Sequence, residues 1–319
     1  MVEPKVSIII PCKQVGKYAE ESIKNCLALD YPHFEILVLP DADWGNGLPK
    51  VKSIPTGSVG PAEKRDLAAQ YAEGDILAFI DDDAFPDKQW LVNALRHFEK
   101  DHVAAVTGPG LTPKHDSILQ RASGRIFSSF MGAGVYKFRN SQSGSREIDD
   151  APSCNLLVRK DVFNQLGGFS TEFWPGEDTK LCLDIKEKLR KKIIYDPEVV
   201  VYHHRRSLFL PHLKQIWNYA LHRGYFAKRY PGNSLKIFYF LPSCMLMGII
   251  AGSLLSFFLP FIRWIFLASL LSYLMLVLLS SVQRTDIRTS PIVFLGIVST
   301  HLTYGAGFIK GLVTRGLAR

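Results

Sequence analysis

No charged residue occurs between Ile237 and Ile262, and none between Trp264 and Val282. A helix needs about 20 predominantly apolar residues to cross a bilayer, and each run reaches or approaches that length. Spans are therefore predicted at about 237–260 and 264–282, forming a hairpin that turns at Pro260 to Arg263. A third uncharged stretch, 289–309, carries His301, several Ser/Thr and three glycines. It reads either as a span over about 290–312 or as an interfacial helix. A chain with such a tail divides into a water-soluble front part and a membrane part.

Three regions are expected: a front domain over 1–207, a basic region over 208–236 and a membrane domain over 237–319. Residues 203–236 hold seven Lys/Arg, four His and no acid. Within them Leu213, Ile216, Trp217 and Ala220 recur at helical spacing, which predicts an amphipathic helix on an anionic lipid surface. A basic helix packed on the front domain is the plainer alternative. A nucleic-acid patch is not expected, because the basic stretch leads directly into a hydrophobic run. Arg284 and Arg288, between the second and third apolar segments, fit a cytoplasmic loop by the positive-inside rule. The apolar run in "MVEPKVSIIIPC" is far too short for a signal peptide, so the front domain is expected in the cytoplasm of a cell-membrane protein. If the third segment spans, Lys310, Arg315 and Arg319 end on the far side, against the rule. The five cysteines, Cys12, Cys26, Cys154, Cys182 and Cys244, form no CxxC pair and read as buried small hydrophobes in a reducing compartment.

The front domain alternates short β-branched runs with helical patterns. Strands are predicted at 6–10, 34–39, 75–80 and 103–107, and helices at 17–29, 62–72 and 88–99. A further helix is predicted to start near Gly176 to Thr179. Near-continuous apolar strands separated by helices predict a mostly parallel sheet covered on both faces. The Gly/Ser-rich stretch 128–150 reads as partly mobile loop. In parallel sheets ligands bind beyond the carboxyl ends of the strands. Two acidic clusters fall there: "PDAD" (40–43) after the second strand, and Asp81, Asp82 and Asp83 after the third. Three adjacent carboxylates repel one another, and a hard divalent cation such as Mg²⁺ or Mn²⁺ relieves that repulsion. A helix N-cap by Asp83 or Asp87, or a solvated acidic turn, would need no metal.

Neither GxxxxGK[ST] nor GxGxxG occurs, so a P-loop or dinucleotide fingerprint is absent. In order along the chain stand "VSIIIPC", "YPHFEILVLPDAD", "GPAEKRDLA", "GDILAFIDDDAFPDKQWL", "CNLLVRKDVFNQLGGF", "GEDTKLCLDI" and "VYHHRRS". Through the order and spacing of these pieces, residues 4–207 resemble the inverting family 2 glycosyltransferases. That resemblance implies a GT-A, Rossmann-like nucleotide-diphospho-sugar transferase domain. The soluble domain followed by C-terminal membrane helices is similar to the family's pattern as well.

The resemblance implies roles for individual residues. Pro11 and Asp41 match positions beside the nucleotide, with Pro40 and Ala42 in place of the commoner acidic and glycine neighbours of Asp41. Arg65 matches an arginine near the nucleotide, followed by Asp66 where Asn is usual. Asp81 and Asp83 match the ends of the DxD motif, the first toward the ribose and the second on the metal, with Asp82 the less critical middle position. Glu177 and Asp178 match the family's catalytic Glu-Asp pair, Asp178 being the general base. His203, with His204 one register on as the alternative, matches a histidine that helps hold the metal, and Arg206 lies near the phosphates.

The chemistry is coherent. A departing diphosphate gains negative charge, which a cation and arginines stabilise. An acceptor hydroxyl needs a base as it attacks. The implied activity is transfer from a nucleotide sugar, UDP- or GDP-linked, to a lipid-linked acceptor, as in polysaccharide or glycoconjugate assembly. Direct transfer to a polyprenyl phosphate is the alternative. The processive Gln-x-x-Arg-Trp motif is absent. A metal-dependent nucleotidyltransferase would use similar carboxylates, whereas an ion pathway is disfavoured by spans without internal charges.

Overall fold

Residues 3–45, 47–169, 171, 173–282 and 287–317 are described by a computed structural model. The loop assignment of Arg284 and the far-side placement of Arg319 lie outside the described residues. In chain order the strands are β1 (Val6–Pro11), β2 (Phe34–Leu39), β3 (Val51–Ser53), β4 (Ile76–Ile80), β5 (Ala84–Pro86), β6 (Val103–Thr107), β7 (Gly110–Leu111), β8 (Arg146–Ile148), β9 (Asn155–Arg159), β10 (Lys192–Tyr195) and β11 (Val201–His203). The helices are α1 (Lys17–Leu27), α2 (Pro61–Tyr71), α3 (Trp90–Leu95), α4 (Ile118–Ser128), α5 (Phe130–Ala133), α6 (Lys160–Gln165), α7 (Glu177–Glu187), α8 (Leu210–Arg229), α9 (Pro231–Ser234), α10 (Ile237–Phe258), α11 (Pro260–Ser281) and α12 (Ser290–Val313). Two compact units emerge: residues 1–113 with 141–204, and residues 114–140 with 205–318.

The first unit is built on an eight-stranded sheet of order β3-β2-β1-β4-β9-β6-β10-β8. Strands β3, β2, β1 and β4 pair in parallel, as do β6 and β10, while β9 and β8 run against their neighbours. Every residue of β1, β2, β4 and β6 is buried, the expected state of β-branched runs covered on both faces. The four predicted strands form within a residue of their expected ends. Helix α1 buries Ala19, Ser22, Ile23 and Cys26 at the spacing of one helical face. A second sheet, β5-β11-β7, sits at the edge of the site.

In the second unit, α8 lies along α12 at backbone contact. A Cβ on Gly224 would overlap the Phe308 carbonyl, and one on Gly311 would overlap the Leu221 carbonyl. The apolar stripe expected to face lipid is instead largely covered, with Ile216 and Ala220 buried. An amphipathic stripe fits a protein partner as well as a bilayer, and here α12 is the partner. Bulk introduced at this seam has nowhere to go, so Gly311→Leu is expected to cost on the order of 1–3 kcal/mol of stability. The check is the unfolding temperature of the detergent-solubilised protein, which should fall clearly below that of Gly316→Leu, where a Cβ meets nothing.

Among the described residues, three helices are long and apolar enough to cross a bilayer: Ile237–Phe258, Pro260–Ser281 and the stretch Ile287–Val313. Of α10 only Tyr239 and Ser243 are buried, and of α11 only Val277 and Ser281, which leaves broad apolar faces. Arg125 of α4 binds the Thr289 hydroxyl and the Ser281 carbonyl. His212 of α8 is fully buried, with Nδ1 2.8 Å from Ser123 Oγ and Nε2 2.9 Å from Thr300 Oγ1.

The stretch 128–150, expected to be partly loop, is irregular over 141–145, while Ser129 caps α5 through Gly132 N, a 3-10 turn follows over Gly134–Asn140, and β8 pairs with β10. The expectation for the cysteines is corrected. Cys154 is only half-buried and Cys244 is exposed, unlike the buried Cys12, Cys26 and Cys182, and all five are free. Charge is segregated between the two units. Residues 114–140 and 205–318 hold 17 Lys/Arg against two acids, net +15, leaving the remainder of the chain at net −7.

Candidate active site

Because β1, β2 and β4 are parallel, their carboxyl ends share one edge of the sheet. Pro11 closes β1 opposite Leu39, Asp41 follows β2, and Asp81 to Asp83 follow β4. Over this edge α2 presents two cations on its buried face, Lys64 and Arg65, each 3% exposed. Lys64 Nζ donates to the carbonyls of Cys12 (2.8 Å) and Leu39 (3.1 Å) and to Asp41 Oδ1 (2.5 Å). It ties two strand ends to the first acidic cluster. Arg65 Nη2 donates to Asp81 Oδ1 at 2.6 Å, and its Nη1 donates to Glu177 Oε1 at 2.8 Å. A guanidinium carries donors enough for both carboxylates, and each needs the other when buried. Asp66 turns elsewhere: its Oδ1 accepts from Phe169 N at 2.8 Å, pinning the turn that follows α6.

Strand β11 pairs antiparallel with β5, placing His203 opposite Ala84, the residue after Asp83. His203 Nε2 lies 3.0 Å from Asp83 Oδ1. The next side chain on a strand points to the opposite face, and His204 stacks on Tyr18 at 4.3 Å with its Nε2 3.0 Å from Glu21. It is thus His203, of the two neighbours, that joins the aspartates. Ligating atoms of Asp81, Asp83 and His203 all lie within 4.8 Å of one another. Two carboxylate oxygens and an imidazole nitrogen form a donor set that suits Mn²⁺ or Mg²⁺ and leaves coordination positions for substrate oxygens. Burial opposes the charged form of His203, but Asp83 and Cys154 outweigh it and hold the imidazolium up to about 10. A cation entering here therefore displaces that proton. Asp82 stands outside the triad, and burial, with the charges of Asp83 and Asp81, pushes it up to about 6.

On the opposite side of Arg65 stands the start of α7. Gly176 adopts φ +122°, a conformation side chains rarely take, and so allows the sharp entry into the helix. Glu177 is buried and fully engaged, accepting from Arg65 and from Gly176 N at 3.0 Å. Asp178 is half-buried, and its oxygens accept from Ser153 N (3.2 Å) and Thr179 N (2.7 Å). Burial first, then the charges of Glu177 and Asp150, raise Asp178 above the usual carboxylate range. Such a carboxylate is a better proton acceptor than an ordinary one.

Arg65 thus links the cluster of Asp81, Asp83 and His203 to Glu177, the chain neighbour of Asp178. Of the residues singled out by sequence, the site brings together Arg65, Asp81, Asp83, His203, Glu177 and Asp178, with Asp82, Pro11 and Asp41 at the same edge. Arg206 is exposed and belongs to the second unit. Sequence reasoning missed Lys64 and Asp150, the latter buried and accepting from Thr179 Oγ1 at 3.1 Å. The signal for Lys64 was its place beside Arg65 in a helix otherwise lined by alanines.

Comparison with known proteins is consistent across the chain. The Glycosyl transferase family 2 model matches residues 7–167, half of the sequence. A glucosyl-dolichyl phosphate glucuronosyltransferase of Haloferax volcanii is 22% identical over 62% of this chain and 69% of its own length. A dolichyl N-acetyl-alpha-D-glucosaminyl phosphate 3-beta-D-2,3-diacetamido-2,3-dideoxy-beta-D-glucuronosyltransferase of Methanococcus voltae is 22% identical over 97% of both chains. Among solved structures, the mannosyltransferase PcManGT of Pyrobaculum calidifontis, in complex with GDP-Man and Mn²⁺, superposes with TM-score 0.64 over 98% of this chain and 88% of that one, at 18% identity. This last likeness is one of fold.

Proposed function

The chain belongs to glycosyl transferase family 2, and from that premise we propose that it transfers a sugar from a nucleotide sugar to a lipid-linked acceptor at the cytoplasmic membrane face. The observation that carries this reading is the assembly in which Arg65 ties Asp81, of the cluster Asp81, Asp83 and His203, to Glu177, the chain neighbour of Asp178. Asp41 and Pro11 border the nucleoside, with Asp41 held by Lys64. Asp81 faces the ribose, while Asp83 and His203 hold a divalent cation. When bound, that cation neutralises the charge growing on the departing diphosphate. Asp178 accepts the proton of the attacking hydroxyl as the new glycosidic bond forms and the bond to the diphosphate breaks, which gives inversion in one displacement. Glu177 fixes Arg65, and Arg65 fixes Asp81, so the donor and base ends keep their spacing.

A lipid-linked acceptor is supported by three apolar helices in the same chain and by the two relatives above, whose names carry a glycosylated dolichyl phosphate. Those names favour a sugar already borne on a lipid phosphate over the bare polyprenyl phosphate. The test incubates detergent-solubilised protein and Mn²⁺ with labelled UDP- and GDP-sugars and a membrane lipid extract. Label should enter the lipid phase with one equivalent of nucleoside diphosphate released. Pyrophosphate release would instead identify a nucleotidyltransferase, and label remaining in water would remove the lipid acceptor.

A further inference from the structure

In the helical unit four side chains form a continuous stack. The Arg139 guanidinium lies 4.9 Å from the Tyr136 ring centre. Tyr136 stacks on Tyr239 at 5.0 Å and 4°. The Arg223 guanidinium then lies 4.8 Å from the Tyr239 ring centre. The 3-10 turn Gly134–Asn140, α8 and α10 each contribute to this stack, and Tyr304 of α12 packs against the same cluster. Tyr239 is 9% exposed, yet its hydroxyl has no hydrogen-bond partner. A buried hydroxyl left without a partner costs about 1–3 kcal/mol relative to one that is satisfied, so a ligand acceptor there would be favoured.

Position adds to the chemistry. Tyr239 lies in the first turn of α10, the first helix long and apolar enough to span. Beyond it the exposed face of α10 offers Leu241, Met247 and Leu254. A headgroup held at the stack would therefore leave a hydrocarbon chain free to run along an apolar surface. The surrounding unit is net +15, so it attracts anions. The planar guanidinium can give phosphate oxygens two donors, and cation–π contact holds the two arginines in place, with Arg223 Nη1 also donating to Ser234 Oγ at 3.1 Å.

We propose that Arg139, Arg223 and the Tyr239 hydroxyl form a binding site for the phosphate group of a polyprenyl lipid carrier. The proposal rests on the reading of a lipid-linked acceptor and supplies residues for it. The arginines donate to the phosphate oxygens, and Tyr239 donates its unpartnered proton.

The test uses the full chain in detergent micelles and measures binding of decaprenyl monophosphate by native mass spectrometry. Decaprenol, inorganic phosphate and phosphatidylglycerol serve as comparison ligands. Wild type should prefer decaprenyl monophosphate to decaprenol. Arg139→Gln and Arg223→Gln should each weaken binding roughly tenfold to a hundredfold. Tyr239→Phe keeps the stacked ring, so it tests the hydroxyl without disturbing the fold, and should weaken binding about fivefold. Lys137→Gln, exposed in the same turn, should bind as wild type. Equal competition by phosphatidylglycerol would reduce the stack to a general anchor for anionic lipid, and equal competition by inorganic phosphate would make it a free-phosphate site. Wild-type binding by all three stack variants would also overturn the proposal. Release of nucleoside diphosphate from a nucleotide sugar by wild type in the presence of a membrane lipid extract is measured separately. Its absence would count against the glycosyltransferase reading and not against this site.

Discussion

Asp178→Asn is expected to lower kcat by about 10²–10⁴, the usual worth of a positioned general base, while leaving donor affinity within a few-fold of wild type. The substitution keeps the shape and one accepting oxygen, so at least one of the Ser153 and Thr179 backbone donors remains paired. What it removes is the basicity of the carboxylate, which in the proposed mechanism takes the acceptor's proton. The pH dependence provides a second reading of the same residue. Because burial and the charges of Glu177 and Asp150 raise Asp178, the wild-type rate should fall on acidification at a pH above the ordinary carboxylate range of about 4. Asp178→Asn should lose that acid limb. Stability should move the other way. A carboxyl with a raised folded-state pKa binds its proton more tightly in the fold than in the unfolded chain. The folded state therefore loses stability as pH rises from the ordinary value through the raised one. At neutral pH wild type carries that penalty and the Asn variant does not, so its unfolding temperature should be unchanged or higher. A variant both inactive and less stable would indicate a structural role instead.

Asp83→Ala is expected to be as severe, through a different step. It removes a carboxylate from the Asp81, Asp83 and His203 triad and the ion-pair partner of His203. Losing one of three ligands should weaken Mn²⁺ binding by at least about a hundredfold, comparable to the upper range for loss of a supporting residue. Turnover should fall to background at Mn²⁺ concentrations that saturate wild type, with partial recovery at much higher metal. Asp82→Ala should differ, because Asp82 stands outside the triad and is uncomfortable as an anion where it is. A loss below about tenfold is expected there. Equal losses from the two substitutions, measured by isothermal titration with Mn²⁺ and by turnover, would show the register of the motif to be wrong.

Much of the catalytic unit was legible because local signals agree with the fold. The apolar runs at 34–39 and 75–80 announced strands, and acidic residues after them fell at the carboxyl edge, where parallel topology places ligands. Pairings distant in the chain were not legible. Nothing near Arg65 shows that Glu177 is its partner 112 residues later, and "NLLVR" carries no mark that β9 runs antiparallel. His203 and His204 were indistinguishable until the register of β11 on β5 set them on opposite faces. Lys64 was not singled out, because a lysine in a helix is mostly solvent-exposed. The helix at 210–229 shows the same limit from the other side: its helical spacing was legible, but its partner, α12, begins 61 residues after its end. Gly/Ser content between 128 and 150 suggested partial loop, which 141–145 forms, while the pairing of β8 with β10 could not be read from it.

The most direct measurement is pulsed electron paramagnetic resonance of Mn²⁺ bound to the purified chain with a nucleoside diphosphate present. Nitrogen coupling from His203 and phosphorus coupling from the diphosphate should appear on the same ion. His203→Gln should remove the nitrogen coupling and keep the phosphorus coupling. Phosphorus coupling without nitrogen in wild type would contradict the placement of the metal between His203, the aspartates and the leaving group.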